Sequence, residues 1–208
     1  LKKEELTAAL KGMDAIYISL NAKTGEDYYN LLTFGIKNII ALGLSENIKL
    51  IAFLSENSIE HQVEESLYLK SKQEAEALLK QGNIPYIIFK PSRFMESLKF
   101  FIRGTAADVI GDQEHKRHWL AVADYARIVS ETLCDSGYYN HSVAVYGPEA
   151  LSLKEALEVY IKHIKPNARI KHISMNLMSM LSMMSNSTEM QFTNEILRFL
   201  DEYPETYN

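Results

Sequence analysis

The stretch from Tyr68 to Leu98, YLKSKQEAEALLKQGNIPYIIFKPSRFMESL, decides the expected fold. It begins with a helical pattern that carries a tyrosine and a lysine four residues apart, Tyr68 and Lys72. Gly82 is a typical stop signal for such a helix. The apolar run IPYIIFK at 84–90 then predicts a strand that is covered on both faces. A helix that leads through a short turn into a buried strand is typical of a parallel α/β sheet.

Two further apolar runs precede this stretch, DAIYISL at 14–20 and KLIAFLS at 49–55. The segment 26–44 between them has apolar residues at helical spacing and ends near Gly43. Strand–helix–strand–helix–strand with short turns predicts right-handed crossovers and a parallel sheet. The sequence therefore predicts an α/β fold over residues 1–98.

From about residue 99 the pattern changes to shorter elements. Short strands are predicted at 118–122 and 142–146. The methionine-rich segment 174–185 is either a flexible apolar patch or a pliable surface for a substrate or a partner. We expect residues 99–208 to form a small α+β lobe that packs on the first part, and the strand and helix near 118–146 to return to that part.

Tyr68 and Lys72 are the residues most suited to chemistry, because positions i and i+4 share one face of a helix. The stripe expected to pack on the sheet comprises Leu67, Ser71, Ala75 and Leu78. The pair would then lie at the rim of the core, where a lysine ammonium can lower the pKa of a phenol by favouring its anion. A phenol is otherwise a poor acid–base group at neutral pH. The alternative interpretation is a surface lysine beside a half-buried tyrosine.

Ser55 is the third candidate, because it directly follows an apolar run. In an open parallel sheet, ligands bind outside the carboxyl ends of the strands. A serine hydroxyl at such an end could polarise a substrate oxygen, although serine after a strand is also ordinary turn chemistry.

Composition excludes several other classes of protein. The net charge of −5 gives no basic surface for nucleic acid. A single cysteine, Cys134, cannot form an intrachain disulfide, which suits a cytoplasmic location. No apolar run is long enough to cross a membrane, and there is no signal-peptide pattern. Asp112, His115 and His118 are loosely spaced in a polar segment, so no metal site is predicted.

The chain resembles a known family, the atypical, NmrA-like branch of the short-chain dehydrogenase/reductases. The resemblance covers roughly residues 6–160. Five segments carry it: AALKGMDAIYIS, GIKNIIALGL with KLIAFLS, KSKQEAEALLKQGNIPYIIFKPSRFMESL, HWLAVADYARIVSETL and VYGPEALSLKEALE. The resemblance implies a Rossmann-type, doubly wound parallel sheet that binds NAD or NADP, followed by a small C-terminal substrate lobe.

The resemblance also implies roles for individual residues. By position, Lys72 matches the lysine that holds the cofactor ribose, and Tyr68 matches the tyrosine of catalytic members. Leu20 and Asn21 match a turn beside the cofactor. The residues that match the segment near the nicotinamide are Pro91 and Phe94.

One expected part of the family pattern does not occur in this sequence. The family begins with a strand, a glycine-rich turn and a helix, whose backbone amides cradle the cofactor pyrophosphate. About 50–70 residues of the cofactor half, including its first strands, are therefore expected to be missing. Residues 1–98 would then be a partial cofactor domain, and cofactor binding would be weak without the turn.

The resemblance favours an NAD(P)-dependent oxidoreductase that transfers hydride to a small carbonyl or quinone-like substrate. In that hypothesis Tyr68 donates the proton, Lys72 assists it and Ser55 orients the substrate oxygen. The main alternative is a regulatory protein that senses NAD(P) without turning it over. A second alternative is a nucleotide-sugar epimerase or dehydratase. The expected partners are a small-molecule substrate and either a second copy of the chain or another protein.

Overall fold

The computed structural model describes residues 3–58 and 66–206. The chain forms two compact units. The first unit combines Leu1–Lys90 with Arg127–Ala144, and the second combines Pro91–Ala126 with Val145–Asn208. Assigning one part to the cofactor and the other to a substrate remains a prediction. Among the described residues, no helix combines the length and the apolar character needed to cross a membrane.

The helices and strands alternate from residue 3 to residue 91, and the rest of the chain also has consecutive strands and consecutive helices. In chain order they are α1 (Lys3–Leu10), β1 (Ala15–Ile18), α2 (Gly25–Ser45), β2 (Leu50–Leu54), α3 (Leu67–Gln81), β3 (Tyr86–Pro91), a 3₁₀ helix (Met95–Phe101), β4 (Ile102–Arg103), β5 (Ala106–Ile110), β6 (Arg117–His118), α4 (Val122–Leu133), a 3₁₀ turn (Ser136–Tyr138), β7 (His141–Val145), β8 (Ala150–Leu151), α5 (Leu153–Ile164), β9 (Arg169–Ile173), α6 (Met175–Met184) and α7 (Thr188–Glu202).

A four-stranded sheet with the order β1-β2-β3-β7 forms the centre of the first unit. β1 pairs in parallel with β2, and β2 pairs in parallel with β3. The residues of β2 from Leu50 to Phe53 are at most 2% exposed, as are Ile87, Ile88 and Phe89 of β3. Because both faces of these strands are covered, their sequences are continuously apolar rather than alternating. The predicted α/β class with a Rossmann-type parallel sheet is confirmed.

The crossover helices begin at polar caps. The Thr24 side chain accepts a hydrogen bond from the backbone of Asp27 at the start of α2, and the Ser66 side chain accepts one from the backbone of Leu69 at the start of α3. Such caps satisfy backbone donors that the first turn leaves open. Both helices also follow the predicted bounds closely. Capping therefore fixes where each helix begins relative to the strand before it.

The second unit has small sheets and helices of its own. β5 pairs antiparallel with β4 and parallel with β9, while β6 pairs antiparallel with β8. A buried cluster of Leu98, Val109, Trp119, Leu153, Ala156 and Leu157 forms one core. The predicted strand at 118–122 is wrong beyond His118, because α4 begins at Val122. Before that helix, Trp119 belongs to the buried cluster and Leu120 forms an isolated parallel bridge with Phe94.

Candidate functional site

Lys72 is buried at the carboxyl end of β2. It is 5% exposed, and its ammonium donates a hydrogen bond of 2.7 Å to the Leu54 carbonyl. The predicted packing stripe of α3 is wrong in this respect, since Leu67 is exposed and Lys72 lies inside. The buried positions of α3 are Leu69, Ser71, Lys72, Ala75, Glu76 and Leu79. The helix therefore presents two charged groups to the sheet, not only an apolar stripe.

Burial and the nearby carboxylates shift the pKa of Lys72 in opposite directions. Burial lowers the pKa of Lys72 to about 8, while the nearby charges of Glu56 and Glu76 partly offset that effect. The ammonium also lies 5.1 Å from the ring centre of Phe53 and 5.9 Å from that of Tyr28. Such rings attract a cation through their negative faces. Lys72 therefore loses its proton at lower pH than an exposed lysine does.

Tyr68 reaches the same end of β2 from the first turn of α3. Its ring stacks on Tyr28, with ring centres 5.4 Å apart and planes inclined by 28°. Its hydroxyl donates a hydrogen bond to the Glu56 carboxylate. Burial, with a smaller contribution from the Glu56 charge, raises the pKa of Tyr28. Tyr68 and Lys72 therefore share one site, where the ring of Tyr28 contacts both.

Ser55 lies beside this pair, but its hydroxyl is already engaged. Its side-chain oxygen donates a 2.6 Å hydrogen bond to the buried carboxylate of Glu76. That carboxylate also lies 3.2 Å from the Lys80 ammonium and 3.8 Å from the Lys90 ammonium. Ser55 is 5% exposed. Its predicted contact with a substrate oxygen would require it to release Glu76, and that role remains a prediction.

Sequence reasoning missed three side chains of this site, Glu56, Glu76 and Tyr28. Glu76 could have been found, because it lies one turn after Lys72 on the same face of α3. Glu56 directly follows Ser55, at the carboxyl end of a predicted strand where polar groups gather. Tyr28 carried no such signal, because a tyrosine in an apolar helical pattern is usually explained by packing.

Two of the predicted cofactor-binding residues lie in the turn between β1 and α2. Leu20 is half-buried and Asn21 is exposed. The Asn21 side chain accepts a 2.9 Å hydrogen bond from the Ala22 backbone, which shapes the turn. Both residues follow the carboxyl end of a parallel strand, as Ser55 does. Their contact with a cofactor remains a prediction.

The other two predicted cofactor residues belong to the second unit. Pro91 is the buried last residue of β3. The ring of Phe94 meets that of Tyr125 edge-on, with centres 5.2 Å apart. The backbone carbonyl of Phe94 accepts a 2.6 Å hydrogen bond from the Ser97 side chain. These contacts give Phe94 a fixed local setting, and its role near a nicotinamide remains a prediction.

The polar residues considered for a metal have other surroundings in the second unit. The His118 ring lies 3.3 Å from the Glu205 carboxylate, while Asp112 lines an open cavity of about 440 Å³. Across residues 3–58 and 66–206, no group of three or more histidine, cysteine or acidic side chains is placed to hold a metal ion.

The first unit has a group suited to the ribose of a dinucleotide, but the sequence has no glycine-rich turn for the pyrophosphate. An ammonium has three donors, and the Leu54 carbonyl takes one of those of Lys72, so donors remain for ribose hydroxyls. The glycines of the sequence are too far apart for a glycine-rich phosphate turn, since Gly104 and Gly111 are the two nearest in sequence. These glycines therefore provide no such turn for the cofactor pyrophosphate.

Comparisons with known proteins agree with the geometry. Residues 1–135 match a family described as NAD(P)H-binding. No curated protein matches the chain. Among solved structures, a double mutant of DesIV, a dTDP-glucose 4,6-dehydratase from Streptomyces venezuelae with NAD and DAU bound, is similar at a TM-score of 0.68 and 13% identity. The similarity covers 83% of this chain and 64% of the DesIV chain, so this chain spans less than two thirds of that protein.

Two further structures have the same fold. An epimerase, Mth375, from Methanothermobacter thermautotrophicus gives a TM-score of 0.71 at 10% identity and covers 83% of this chain and 63% of its own. A nucleoside-diphosphate-sugar epimerase from Staphylococcus aureus gives 0.68 at 13% identity and covers 99% of this chain and 78% of its own. At such identities the similarity establishes the fold alone.

The family match covers most of the first unit, including β1, β2, β3 and the helices between them. It confirms NAD or NADP as the predicted cofactor type. In an open parallel sheet such as this one, ligands bind outside the carboxyl ends of the strands. The chain therefore belongs to the NAD(P)H-binding family of Rossmann-type domains.

Proposed function

We propose that the protein is an NAD(P)-dependent oxidoreductase of the NmrA-like type that reduces a small carbonyl or quinone-like substrate. The observation that supports this most directly is the convergence of Tyr68 and buried Lys72 at the carboxyl end of β2. A phenol and an ammonium in one crevice can deliver a proton to a substrate oxygen and stabilise the phenolate that remains.

Each residue of the site has a defined task in this proposal. The nicotinamide, when bound, supplies the hydride. Tyr68 releases Glu56 and gives its proton to the carbonyl oxygen. Lys72 stabilises the phenolate by its charge, and its remaining N–H donors bind the ribose. Tyr28 keeps both groups in place through ring contacts.

The proposal is tested with Tyr68→Phe in a reductase assay using NADH and NADPH with a panel of aldehydes, ketones and quinones. We expect kcat to fall by about 100-fold or more, because the proton donor is lost. Cofactor affinity should stay within a factor of two or three, since the ring is retained. Tyr29→Phe is the matched control, because Tyr29 also donates to a carboxylate, that of Glu74, on α3. Full turnover by Tyr68→Phe would exclude the assignment.

A second candidate function is nucleotide-sugar epimerisation or dehydration, which the names of the similar structures favour. In that case sugar nucleotides would be converted without net oxidation of added cofactor. Tight cofactor binding without turnover of carbonyls or sugar nucleotides would instead support a regulatory sensor. The three outcomes differ in product analysis, so one set of assays separates them.

A further inference from the structure

The hydroxyl of Tyr68 makes its hydrogen bond to a carboxylate rather than to the lysine expected to assist it. Glu56 accepts that bond, while the ammonium of Lys72 donates to the Leu54 carbonyl. Lys72 and Tyr68 both contact the ring of Tyr28. The group in direct contact with the phenol proton is Glu56.

Glu56 interacts with Tyr68, Lys72 and Tyr28. It lies two residues beyond the end of β2 and is half-buried. Its negative charge stabilises the ammonium of Lys72 and opposes ionisation of Tyr28. A carboxylate that accepts a hydrogen bond from a phenol also stabilises the protonated phenol. Each of these effects favours the protonated form of Lys72, Tyr28 or Tyr68.

We propose that Glu56 is a positioning residue that holds the Tyr68 phenol, with its proton, over the carboxyl end of β2 until a substrate oxygen replaces the carboxylate. This inference rests on the proposed reductase function and deepens it. In the reducing direction the cofactor's hydride goes to the carbonyl carbon and the Tyr68 proton goes to the carbonyl oxygen. The tyrosinate then takes a proton from water and returns to Glu56.

The proposal predicts a specific response to pH. Removing the negative charge of Glu56 makes it easier for both Tyr68 and Lys72 to lose their protons. Both changes act in the same direction on a reaction that needs a protonated phenol beside an ammonium. The alkaline limit of activity should therefore move to lower pH, by roughly one pH unit.

The experiment compares wild type with Glu56→Gln, whose amide oxygen still accepts the phenol hydrogen bond but carries no charge. We expect the alkaline limb of its pH profile to lie about one pH unit below that of wild type. Glu74→Gln is the matched control, because Glu74 lies on α3, as Tyr68 does, and accepts a hydrogen bond from Tyr29 of α2. Its pH profile should coincide with that of wild type. A Glu56→Gln profile that coincides with wild type would overturn the proposal.

A second readout does not depend on turnover. Tyrosine labelled with ¹³C at Cζ gives a resonance for Tyr68, assigned with Tyr68→Phe, whose titration reports loss of the phenol proton. We expect this titration to move to lower pH in Glu56→Gln and to be unchanged in Glu74→Gln. If no substrate is reduced, the proposed function fails while the resonance still decides the role of Glu56. An unchanged titration would overturn that role even in an active reductase.

A variant that keeps the negative charge of Glu56 but shortens its side chain distinguishes the effect of the hydrogen bond from the effect of the charge. Glu56→Asp shortens the side chain by one methylene, so it keeps the charge and loses the contact with Tyr68. We expect its alkaline limb to stay within a few tenths of a unit of wild type while its kcat falls several-fold. In a Tyr68→Phe background this fall should disappear, because Glu56 acts through the phenol. A persistent fall in that background would count against the proposal.

Discussion

At the scale of single residues, Lys72 is the most unusual group in the described chain. A fully buried ammonium is costly unless it is paired, and here its hydrogen-bond acceptor is a backbone carbonyl. The aromatic rings and two nearby carboxylates reduce that cost without forming a direct ion pair. Strongly perturbed lysines of this kind are typical of functional sites.

The lowered pKa of Lys72 makes stability depend on pH in a definite direction. Its pKa is about 8 in the folded protein and 10.5 in the unfolded chain, so between these values the unfolded state binds more protons. The free energy of unfolding should rise with pH over this window, by as much as about 3 kcal/mol from this residue. In Lys72→Met that contribution should vanish. Urea unfolding at pH 7 to 10.5 measures the difference.

Lys70→Met is the control for this measurement. Lys70 lies on the same helix but is exposed, with its ammonium 5.5 Å from the ring centre of Tyr29. Its removal should leave the pH dependence of stability as in wild type. Parallel stability curves for wild type and Lys72→Met across this range would contradict the prediction.

The sequence predicted which residue types would meet at the site, but not how their bonds are arranged. Tyr68, Lys72 and Ser55 do lie at one strand end, because helical spacing and strand order are encoded locally. Which acceptor each donor bonds to depends on the distances between side chains in the folded structure. Tyr68 donates to Glu56 and Ser55 donates to Glu76, and no spacing rule specifies either choice.

At the scale of elements, two polar bonds fasten α3 to the end of β2. One joins Lys72 to the Leu54 carbonyl, and the other joins Ser55 to Glu76. They sit one helical turn apart, so together they fix both the rotation and the axial position of α3. The geometry of the site therefore depends on this attachment as well as on its own residues.

The bond between Ser55 and Glu76 should be measurable as a coupling energy. Ser55→Ala leaves a buried carboxylate with one donor fewer, so we expect a loss of about 1–3 kcal/mol in the free energy of unfolding. Glu76→Gln should reduce the same interaction, and the double variant should lose less than the sum. Denaturant unfolding of the four proteins gives the coupling. Strict additivity would show that the bond contributes little.

Ser45→Ala provides the control for a lost hydroxyl. Ser45 is exposed and donates only to the Leu42 carbonyl within α2. Its removal should change stability by less than about 0.5 kcal/mol. A loss equal to that of Ser55→Ala would mean that burial of the Glu76 carboxylate is not the cause.

Element identities in the first unit were predictable, whereas the buried face of α3 was predicted only in part: Ser71 and Ala75 are buried as expected, but so are Lys72 and Glu76. Continuous apolar runs identify strands such as β2 because a strand covered on both faces can hold few polar side chains. The face of α3 was assigned by assuming that apolar residues are buried and charged ones exposed. Lys72 and Glu76 are charged but buried. The Leu54 carbonyl accepts a hydrogen bond from Lys72, and the Ser55 hydroxyl donates one to Glu76.

At the scale of the whole molecule, side chains from elsewhere in the second unit hold the segment after α7. Arg117, which is 4% exposed, donates to the carbonyls of Leu200 and Tyr203. The Glu205 carboxylate accepts from the His118 backbone at 2.9 Å. Arg117 lies 83 positions before Leu200 in the sequence, so a local sequence pattern could not have predicted this contact.

Arg117→Met should loosen this segment. The change removes donors to buried carbonyls, so we expect a loss of about 2–4 kcal/mol in stability. Hydrogen exchange of the amides after α7 should accelerate before that of β5. Arg198→Met is the control, since Arg198 is largely exposed and pairs with Glu202 at 3.5 Å in the same helix. Unchanged exchange in Arg117→Met would contradict the role of the guanidinium.

The first unit is discontinuous in sequence, and this has a consequence for any fragment of the chain. A piece that stops at residue 98, the boundary expected from sequence, would contain β3 but lack β7, its neighbour in the sheet. The Tyr86 carbonyl would also lose the Asn140 amide that caps it at 2.6 Å. An apolar strand left open on one side is a template for self-association. Such a fragment should form oligomers, and adding a peptide spanning 127–145 should dissolve them.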